Sequence, residues 1–261
     1  VIAVAYKEAD EEQLDYTSKD EAGLILLGFI AFLDPPKETA LEALAKLRNN
    51  GVEAKILTGD NEIVTKKICK LVSLPVKGAL IGSEIEGMSN DELESSVENT
   101  TIFAKLLPHH KERIIKALQK NGHTVGFLGD GINDTSALKA ADVGISVDTA
   151  VDIAKESSDI ILLKKSLLVL NDGVIEGRKV FGNIVKYIKM AASSNFGNVL
   201  SVVGASAFLP FLPMLPLQIL INNMLYDLSQ TTIPTDYVDE EYTVKPRKWK
   251  IDDIKKFILY F

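Results

Sequence analysis

"FLGDGINDTSA", residues 127–137, places two carboxylates, Asp130 and Asp134, four positions apart around a glycine and directly after an apolar run. Two carboxylates on one tight turn repel each other, so a cation is expected between them. The apolar run is typical of a strand, and the glycine allows a sharp turn at its end. The stretch therefore predicts a site at the carboxyl end of a strand, where open parallel sheets bind ligands.

Around this stretch, from about residue 24 to residue 163, short apolar runs alternate with amphipathic helical segments. Nearly continuous apolar strands alternating with helices indicate a Rossmann-like α/β fold, a parallel sheet flanked by helices. The helix that precedes the stretch begins at a proline, in "PHHKERIIKALQKNG" (108–122). The predicted strands are "LILLGFIAFL" (24–33), "VEAKILTGD" (52–60), "TIFAKL" (101–106), "HTVGFLGD" (123–130), "DVGISV" (142–147) and "DIILL" (159–163).

The composition excludes some classes of protein. A net charge of −7 over 261 residues argues against a general nucleic-acid binder, because phosphate backbones require basic patches. The single cysteine, Cys69, excludes an internal disulfide, and its helical spacing predicts a buried structural thiol. Because the chain begins and ends within apolar segments, we expect it to be a piece of a longer polypeptide.

The character of the sequence changes at residue 164, where residues 164–190 predict a long helix with basic residues along it. From Met190 to Tyr226 there is no charged residue, and prolines interrupt the second half of this stretch. Two apolar spans of about 20 residues that share a proline-rich turn predict a transmembrane α-helical hairpin. Basic residues on both sides would keep both ends on the cytoplasmic face. The alternative is a pair of buried helices in a soluble protein.

A second candidate stretch is "LTGD", residues 57–60, at the end of a predicted strand. The hydroxyl of Thr58, the close backbone approach that Gly59 allows and the amides that open the next helix favour an oxyanion cradle. The alternative is a plain turn in which Asp60 caps the next helix.

The third candidate is Lys111, in the first turn of a predicted helix. A lysine there could reach a phosphoryl oxygen as a point charge, whereas the alternative is a solvated surface lysine. The neighbouring His109 and His110 are expected to be exposed residues at the helix start rather than ligands.

A bound Mg²⁺ ion would allow these three stretches to form one phosphate-binding site. Carboxylates repel a phosphate unless a metal bridges them, and Mg²⁺ commonly binds one or two carboxylates together with phosphate oxygens. The carboxylates of the 130–134 turn, Lys111 and the Thr58 cradle would then form an electrostatic clamp for phosphoryl transfer. The alternative is a surface turn with ordinary glycine, aspartate and asparagine chemistry.

The motifs "TGD" (58–60), "GDGIND" (129–134) and "DPPK" (34–37) resemble the phosphorylation domain of P-type cation-transporting ATPases, a branch of the haloacid dehalogenase superfamily. The resemblance covers essentially the whole chain, and "GDGIND" is its most specific motif. It implies a pump that uses Mg²⁺ as cofactor and ATP as substrate and forms an aspartyl phosphate. The residues that it implies are Thr58, Gly59, Asp60, Lys111 and Asn133 for catalysis, Asp130 and Asp134 for the metal, and Asp34 at a hinge.

Amide and carboxylate side chains inside a membrane span are costly, so they are candidates for function. These hard oxygen donors suit Mg²⁺ or Ca²⁺. Hydrogen bonding between helices is the alternative for the asparagines. By resemblance, the hairpin is similar to the fifth and sixth membrane helices of such pumps, most of all to the magnesium-transporting subclass. The candidates are Asn195, Asn198, Asn222, Asn223 and Asp227.

The resemblance also implies a domain order and a set of partners. The expected partners are ATP, a divalent cation with Mg²⁺ favoured, the lipid bilayer and the remainder of the polypeptide, with no nucleic acid. The expected location is a bacterial-type plasma membrane, crossed several times, with the phosphorylation domain in the cytoplasm. The expected parts are the end of a nucleotide-binding domain (1–28), the phosphorylation domain (29–172), a stalk helix (173–190), the transmembrane hairpin (191–232), and a cytoplasmic loop with the start of the next membrane segment (233–261).

Members of this family phosphorylate an aspartate in a D-K-T-G-T motif, and no aspartate here precedes Lys-Thr-Gly. We therefore expect this chain alone neither to form an aspartyl phosphate nor to pump. One alternative is a soluble phosphatase of the same superfamily, which would need a D-x-D-x-T motif that the sequence lacks. The other is a regulatory domain without a nucleophile.

Overall fold

The computed structural model describes residues 1–8, 15, 17–31 and 35–260, and the chain divides into two compact units, 1–37 and 38–261. In the first unit, β1 (Ile2–Tyr6) pairs antiparallel with β2 (Ile25–Ile30). The sequence placed β2 within the parallel sheet, and that expectation is wrong. An apolar run predicts a strand, but it does not choose the partner of that strand.

The second unit contains two three-stranded parallel sheets, ordered β3-β5-β4 and β6-β7-β8. The predicted class, parallel sheets flanked by helices, is confirmed, although the strands form two sheets rather than one. Leu57 and Val125 pack against the hydrophobic core on both sides and so connect the two sheets. The strands are β3 (Ile56–Leu57), β4 (Ala79–Ile81), β5 (Ile102–Ala104), β6 (Gly126–Leu128), β7 (Val143–Val147) and β8 (Ile160–Leu162).

Helices connect these strands, and several begin with a readable capping signal. At the start of α4, Ser89 Oγ accepts the backbone N–H of Glu92, and the Glu92 carboxylate accepts the backbone N–H of Ser89. The sequence-based prediction omitted β4, α3 and α4, although the capping box at Ser89 marks the start of α4. The helices are α1 (Ala40–Asn49), α2 (Glu62–Leu71), α3 (Gly82–Gly87), α4 (Asn90–Val97), α5 (Pro108–Lys120), α6 (Thr135–Ala140) and α7 (Asp152–Glu156).

Helix α5 lies between the two halves of the core. Its Ile114 is fully buried in the cluster that contains Phe103 of β5. The next residue, Ile115, is buried in the cluster that contains Phe127 of β6. Because α5 contributes buried side chains to both clusters, its first turn is held in a defined place relative to the ends of both sheets. Cys69 of α2 is buried as predicted, and burial raises the pKa of its thiol.

Beyond the sheets the chain is helical, with α8 (Leu167–Phe208), α9 (Pro216–Gln230), α10 (Glu240–Val244) and α11 (Ile251–Tyr260). Helix α8 runs without interruption through the segments predicted as stalk and as first half of the hairpin. Helix α9 has 15 residues, a length of about 22 Å, whereas a bilayer core is about 30 Å thick. Among the described residues, the structure contains no helix that combines the length and the apolarity needed to cross a membrane.

The first half of α8 is tied to the α/β part by Arg178. Its guanidinium donates hydrogen bonds to the carbonyl oxygens of Asn50, at the end of α1, and of Thr243, in α10, at 2.7 and 2.8 Å. Burial lowers the pKa of the Arg178 guanidinium from its ordinary value. The Asn183 amide donates to the carbonyl oxygen of Asp236 at 3.1 Å. The segment after α9 therefore folds back onto α8.

Gly144→Ala tests how tightly the second sheet packs. A Cβ at Gly144 in β7 would lie 2.5 Å from the carbonyl oxygen of Leu138, a backbone atom that cannot move aside. We expect the substitution to lower the free energy of unfolding by about 1–3 kcal/mol, measured by chemical denaturation. Gly126→Ala in the neighbouring strand is the matched control, since its Cβ would have no contact closer than 3.8 Å. Equal losses in the two variants would contradict the close approach.

Candidate functional site

The turn after β6 is closed by the carboxylate of Asp134. Its Oδ2 accepts the backbone N–H groups of Asp130 and Gly131 at 3.2 and 3.1 Å. A Cβ on Gly129 would lie 2.6 Å from Asp134 Cβ, so the turn has room only for a glycine there. The sequence "GDGIND" therefore folds around one of its own side chains, and the turn depends on that side chain.

The other oxygen of this carboxylate holds Lys111. Lys111 Nζ donates to Asp134 Oδ1 at 2.6 Å, and the two side chains are only 12% and 13% exposed. The alternative interpretation of Lys111, as a solvated surface lysine, is therefore wrong. Partial burial strengthens the pair relative to a surface ion pair, because less water screens the two charges. The result is a cation fixed beside the turn by the first turn of α5.

Asp130 is in a different environment. Its side chain is 52% exposed, and its Oδ2 accepts Lys165 Nζ at 2.6 Å. The two carboxylates of the turn thus have separate lysines, and these two ammonium groups offset the negative charge of the turn. Lys165 was missed, although it follows β8, and the carboxyl ends of parallel strands share one edge of a sheet. A search for charges just after each strand would have found it.

The "TGD" stretch follows β3. Thr58 Oγ1 accepts the backbone N–H of Asp60 at 3.1 Å, which leaves the hydroxyl proton available for an anion. Gly59 and Asp60 are exposed. The alternative in which Asp60 caps α2 is wrong, because Asn61 is the capping residue, with its Oδ1 accepting the N–H of Ile63 at 2.9 Å.

The same stretch is bonded to the loop that leads into α5. The backbone N–H of Lys105 donates to the carbonyl oxygen of Asp60 at 2.9 Å, and the N–H of Leu106 donates to that of Thr58 at 3.0 Å. Since Lys111 follows on the same segment and contacts Asp134, residues 105–111 connect both candidate loops. The structure thereby supports one continuous site rather than three separate turns.

Only part of this site suits a Mg²⁺ ion as it stands. Asp130 offers a hard oxygen donor on an exposed turn, and both its side chain and that of its partner Lys165 are half-exposed. Asp134 is committed to two backbone N–H groups and to Lys111. Asn133 is exposed between them. The donor chemistry therefore fits Mg²⁺ at Asp130, with Asp134 holding the turn.

A separate cluster contains Glu86 of α3 with His109 and His110 of α5. Their ligand atoms lie within 4.8 Å of one another. The expectation that both histidines are exposed is wrong for His110, which is 3% exposed. Hydrogen bonds from His109 and His110 lower the pKa of the Glu86 carboxyl to about 2. Glu86 is therefore ionised at neutral pH.

The structure does not gather the residues predicted for ion transport. Asn195 is exposed and Asn198 half-buried on α8, whereas those on α9, among them Asn223 and Asp227, are exposed. Among the described residues, α9 has few contacts with α8. The predicted hinge residue Asp34 lies outside the part of the chain that the structure describes.

Comparison with protein families gives one match that covers more than half of the chain. Residues 3–142 match the model of the haloacid dehalogenase-like hydrolases. This range contains the "TGD" stretch, Lys111 and the "GDGIND" turn.

Curated relatives extend the similarity to the whole chain. Over its full 261 residues, the chain is 59% identical to "Magnesium-transporting ATPase, P-type 1" of Salmonella typhimurium and of Escherichia coli K12. A "Calcium-transporting ATPase" of Bacillus subtilis is 36% identical over 87% of the chain. The chain spans 29% of the length of the two magnesium-transporting relatives. Among solved structures, the catalytic domain of the CPx-ATPase CopB-B is 29% identical, covering 57% of this chain and 47% of that one with a TM-score of 0.41.

Asp134→Asn tests the importance of the buried ion pair. The amide keeps the shape of the side chain but leaves the largely buried Lys111 ammonium without its counter-charge. We expect the free energy of unfolding to fall by about 2 kcal/mol, measured by denaturation in the absence of Mg²⁺. Asp130→Asn is the matched control and is expected to cost less than about 1 kcal/mol, because its ion pair is exposed. A smaller loss at position 134 than at position 130 would refute this assignment.

Proposed function

Because this chain belongs to the haloacid dehalogenase-like hydrolase family, we propose that it is part of an ATP-driven P-type cation pump that works through an aspartyl phosphate. The observation that carries the proposal is the Lys111–Asp134 pair beside the exposed Asp130 carboxylate on one turn after a parallel strand. This arrangement offers a fixed cation and a metal ligand side by side, as phosphoryl transfer requires.

Asp130 would be the direct Mg²⁺ ligand, with Asn133 and Asp134 supporting the metal and the phosphoryl group. When bound, Mg²⁺ would supply the charge that lets a phosphoryl group approach this acidic turn. Mg²⁺ would compete with Lys165 for Asp130, because both are cations attracted to this one carboxylate. Lys111 would stabilise the negative charge of the transferred group from its fixed position beside the turn.

Thr58 and Gly59 would bind the phosphoryl oxygens. Thr58 Oγ1 already accepts the N–H of Asp60, so its hydroxyl proton is free to point at an anion. Gly59 has no side chain to block the backbone N–H groups of this loop. Asp60 would shape the edge of the phosphate and nucleotide site, and Asp34 would act as the hinge towards the nucleotide-binding domain.

The phosphorylated aspartate would come from another part of the polypeptide. This chain has no Asp-Lys-Thr-Gly sequence, so we propose that it does not form an aspartyl phosphate by itself. In the proposed order, residues 1–28 end a nucleotide-binding domain, 29–172 form the phosphorylation domain, 173–190 a stalk, 191–232 a membrane hairpin, and 233–261 a cytoplasmic loop leading to the next membrane segment.

The transported ion is proposed to be Mg²⁺, since the most similar relatives named above are magnesium-transporting ATPases. The ion would bind Asn195, Asn198, Asn223 and Asp227 once the hairpin packs against the other membrane helices of the complete protein. Many apolar side chains between residues 196 and 228 are exposed, including Phe208 and Phe211, and lipid would remove this surface from water. The pump would then cross the bilayer several times, with the phosphorylation domain in the cytoplasm.

A soluble phosphatase and a regulatory domain are the rival functions, and neither is favoured. The hydrolase match ends at residue 142, whereas the 59% identity to magnesium-transporting ATPases continues to residue 261. A soluble phosphatase would give no reason for that similarity in α8 and α9.

The first test is phosphorylation of the full-length protein, in membranes, by ATP labelled on its γ-phosphate. We expect acid-stable labelling that falls by about 10²-fold in Lys111→Ala and in Asp130→Asn, because each loses a charge beside the phosphoryl group. Lys116→Ala, on the same helix but exposed, is the control and should label normally. Labelling of the 261-residue chain alone would overturn the proposal that the nucleophile lies elsewhere.

The second test is transport by the full-length protein in proteoliposomes, followed with a Mg²⁺-sensitive dye. Asp227→Ala is expected to abolish ATP-driven Mg²⁺ flux, because it removes the one carboxylate proposed for the ion site. Asp252→Asn, on the exposed face of α11, serves as control. Since Mg²⁺ is also the cofactor, flux and ATP hydrolysis are measured separately. Normal Mg²⁺ flux in Asp227→Ala would exclude this residue from the ion site.

A further inference from the structure

His110 precedes Lys111 and is almost completely buried, unlike its neighbour His109. Its Nδ1 accepts the backbone N–H of Leu107 at 3.1 Å, which satisfies a donor at the start of α5. Because Nδ1 accepts, the neutral ring carries its hydrogen on Nε2, which faces Glu86 Oε2 at 2.6 Å. Both ring nitrogens therefore have defined roles, and the tautomer is set.

The His110 ring also lies close to Gly82, where a larger residue would crowd it. A Cβ on Gly82, at the start of α3, would lie 3.1 Å from both Cε1 and Nδ1 of His110. The same Cβ would lie 2.4 Å from the carbonyl oxygen of Lys105. His110 is thus confined between α3 and the loop that leads into α5.

This loop is bonded to the candidate site on both sides. Lys105 has φ of 51°, in the left-handed region that non-glycine residues rarely adopt, so the chain turns sharply there. The N–H groups of Lys105 and Leu106 donate to the "TGD" stretch, and Lys111 Nζ donates to Asp134. The position of the α5 start therefore determines the spacing between the two loops.

We propose that His110 is a positioning residue for phosphoryl transfer, which fixes the first turn of α5 so that Lys111 faces the phosphoryl group. This inference rests on the proposed function of the site. Glu86 fixes the tautomer of His110 by accepting its Nε2–H. The same tautomer leaves no lone pair on Nε2, so His110 supports the start of α5 with Glu86 and is not a metal ligand.

The test uses the full-length protein and compares His110→Ala with His109→Ala and His110→Gln. We expect His110→Ala to slow phosphorylation by ATP about tenfold with an unchanged KM for ATP, because Lys111 is displaced without loss of substrate binding. His110→Gln should restore most of the rate, since its amide can accept the N–H of Leu107 and donate to Glu86. His109→Ala should react like the wild type. Equal rates in the two alanine variants would refute the proposal.

A double substitution separates positioning from general stability. In a Lys111→Ala background, His110→Ala should have little further effect on the rate, because the group that it positions is gone. A full additional tenfold loss would mean that His110 acts on the fold and not through Lys111.

Hydrogen exchange gives a result even if the complete protein forms no phosphoenzyme. In the full-length protein, His110→Ala should raise the exchange rate of the Leu107 amide, and His109→Ala should not. If the wild type is not phosphorylated, the proposed function is refuted, but faster exchange in His110→Ala would still confirm the hydrogen bond from the Leu107 N–H to His110 Nδ1. An unchanged exchange rate of the Leu107 amide in His110→Ala would refute the role of His110 in fixing the start of α5.

Discussion

The carboxylate of Asp134 is the constraint on which the rest of the site depends. Its two oxygens receive two backbone N–H groups from its own turn and the ammonium of Lys111. One side chain therefore fixes both the shape of the turn and the place of the Lys111 ammonium beside it. Gly129 is required because any larger residue would collide with this carboxylate. The mutual repulsion of two carboxylates is relieved because each has a separate lysine.

Helix α5 transmits this constraint to the rest of the domain. Its neighbouring residues Ile114 and Ile115 are buried in different halves of the core, so the helix cannot shift towards one sheet without losing contacts with the other. The loop that leads into α5 is bonded to the "TGD" stretch through the backbone, and the first turn of α5 is bonded to α3 through His110. A single helix end thus brings together loops that are about 70 residues apart in the sequence.

The strand–helix alternation, the start of α5 at its proline and the position of Lys111 in its first turn could be predicted from periodicity and capping signals. The antiparallel pairing of β2 could not, because an apolar run does not specify a partner. The segment that contains β4, α3 and α4 was missed, since three-residue strands and a polar helix give weak periodic signals. The burial of His110 was also missed, because it depends on the space left by Gly82, 28 positions earlier.

By itself the sequence determined which residues are candidates: an acidic glycine-rich turn after a strand, a threonine–glycine turn and one lysine, a combination that predicts phosphoryl transfer with Mg²⁺. These signals are local, so a short stretch contains them. Only the tertiary structure decided which lysine pairs with which carboxylate, which aspartate is exposed and which histidine is buried. Such assignments depend on distances between residues far apart in the chain, and packing sets those distances.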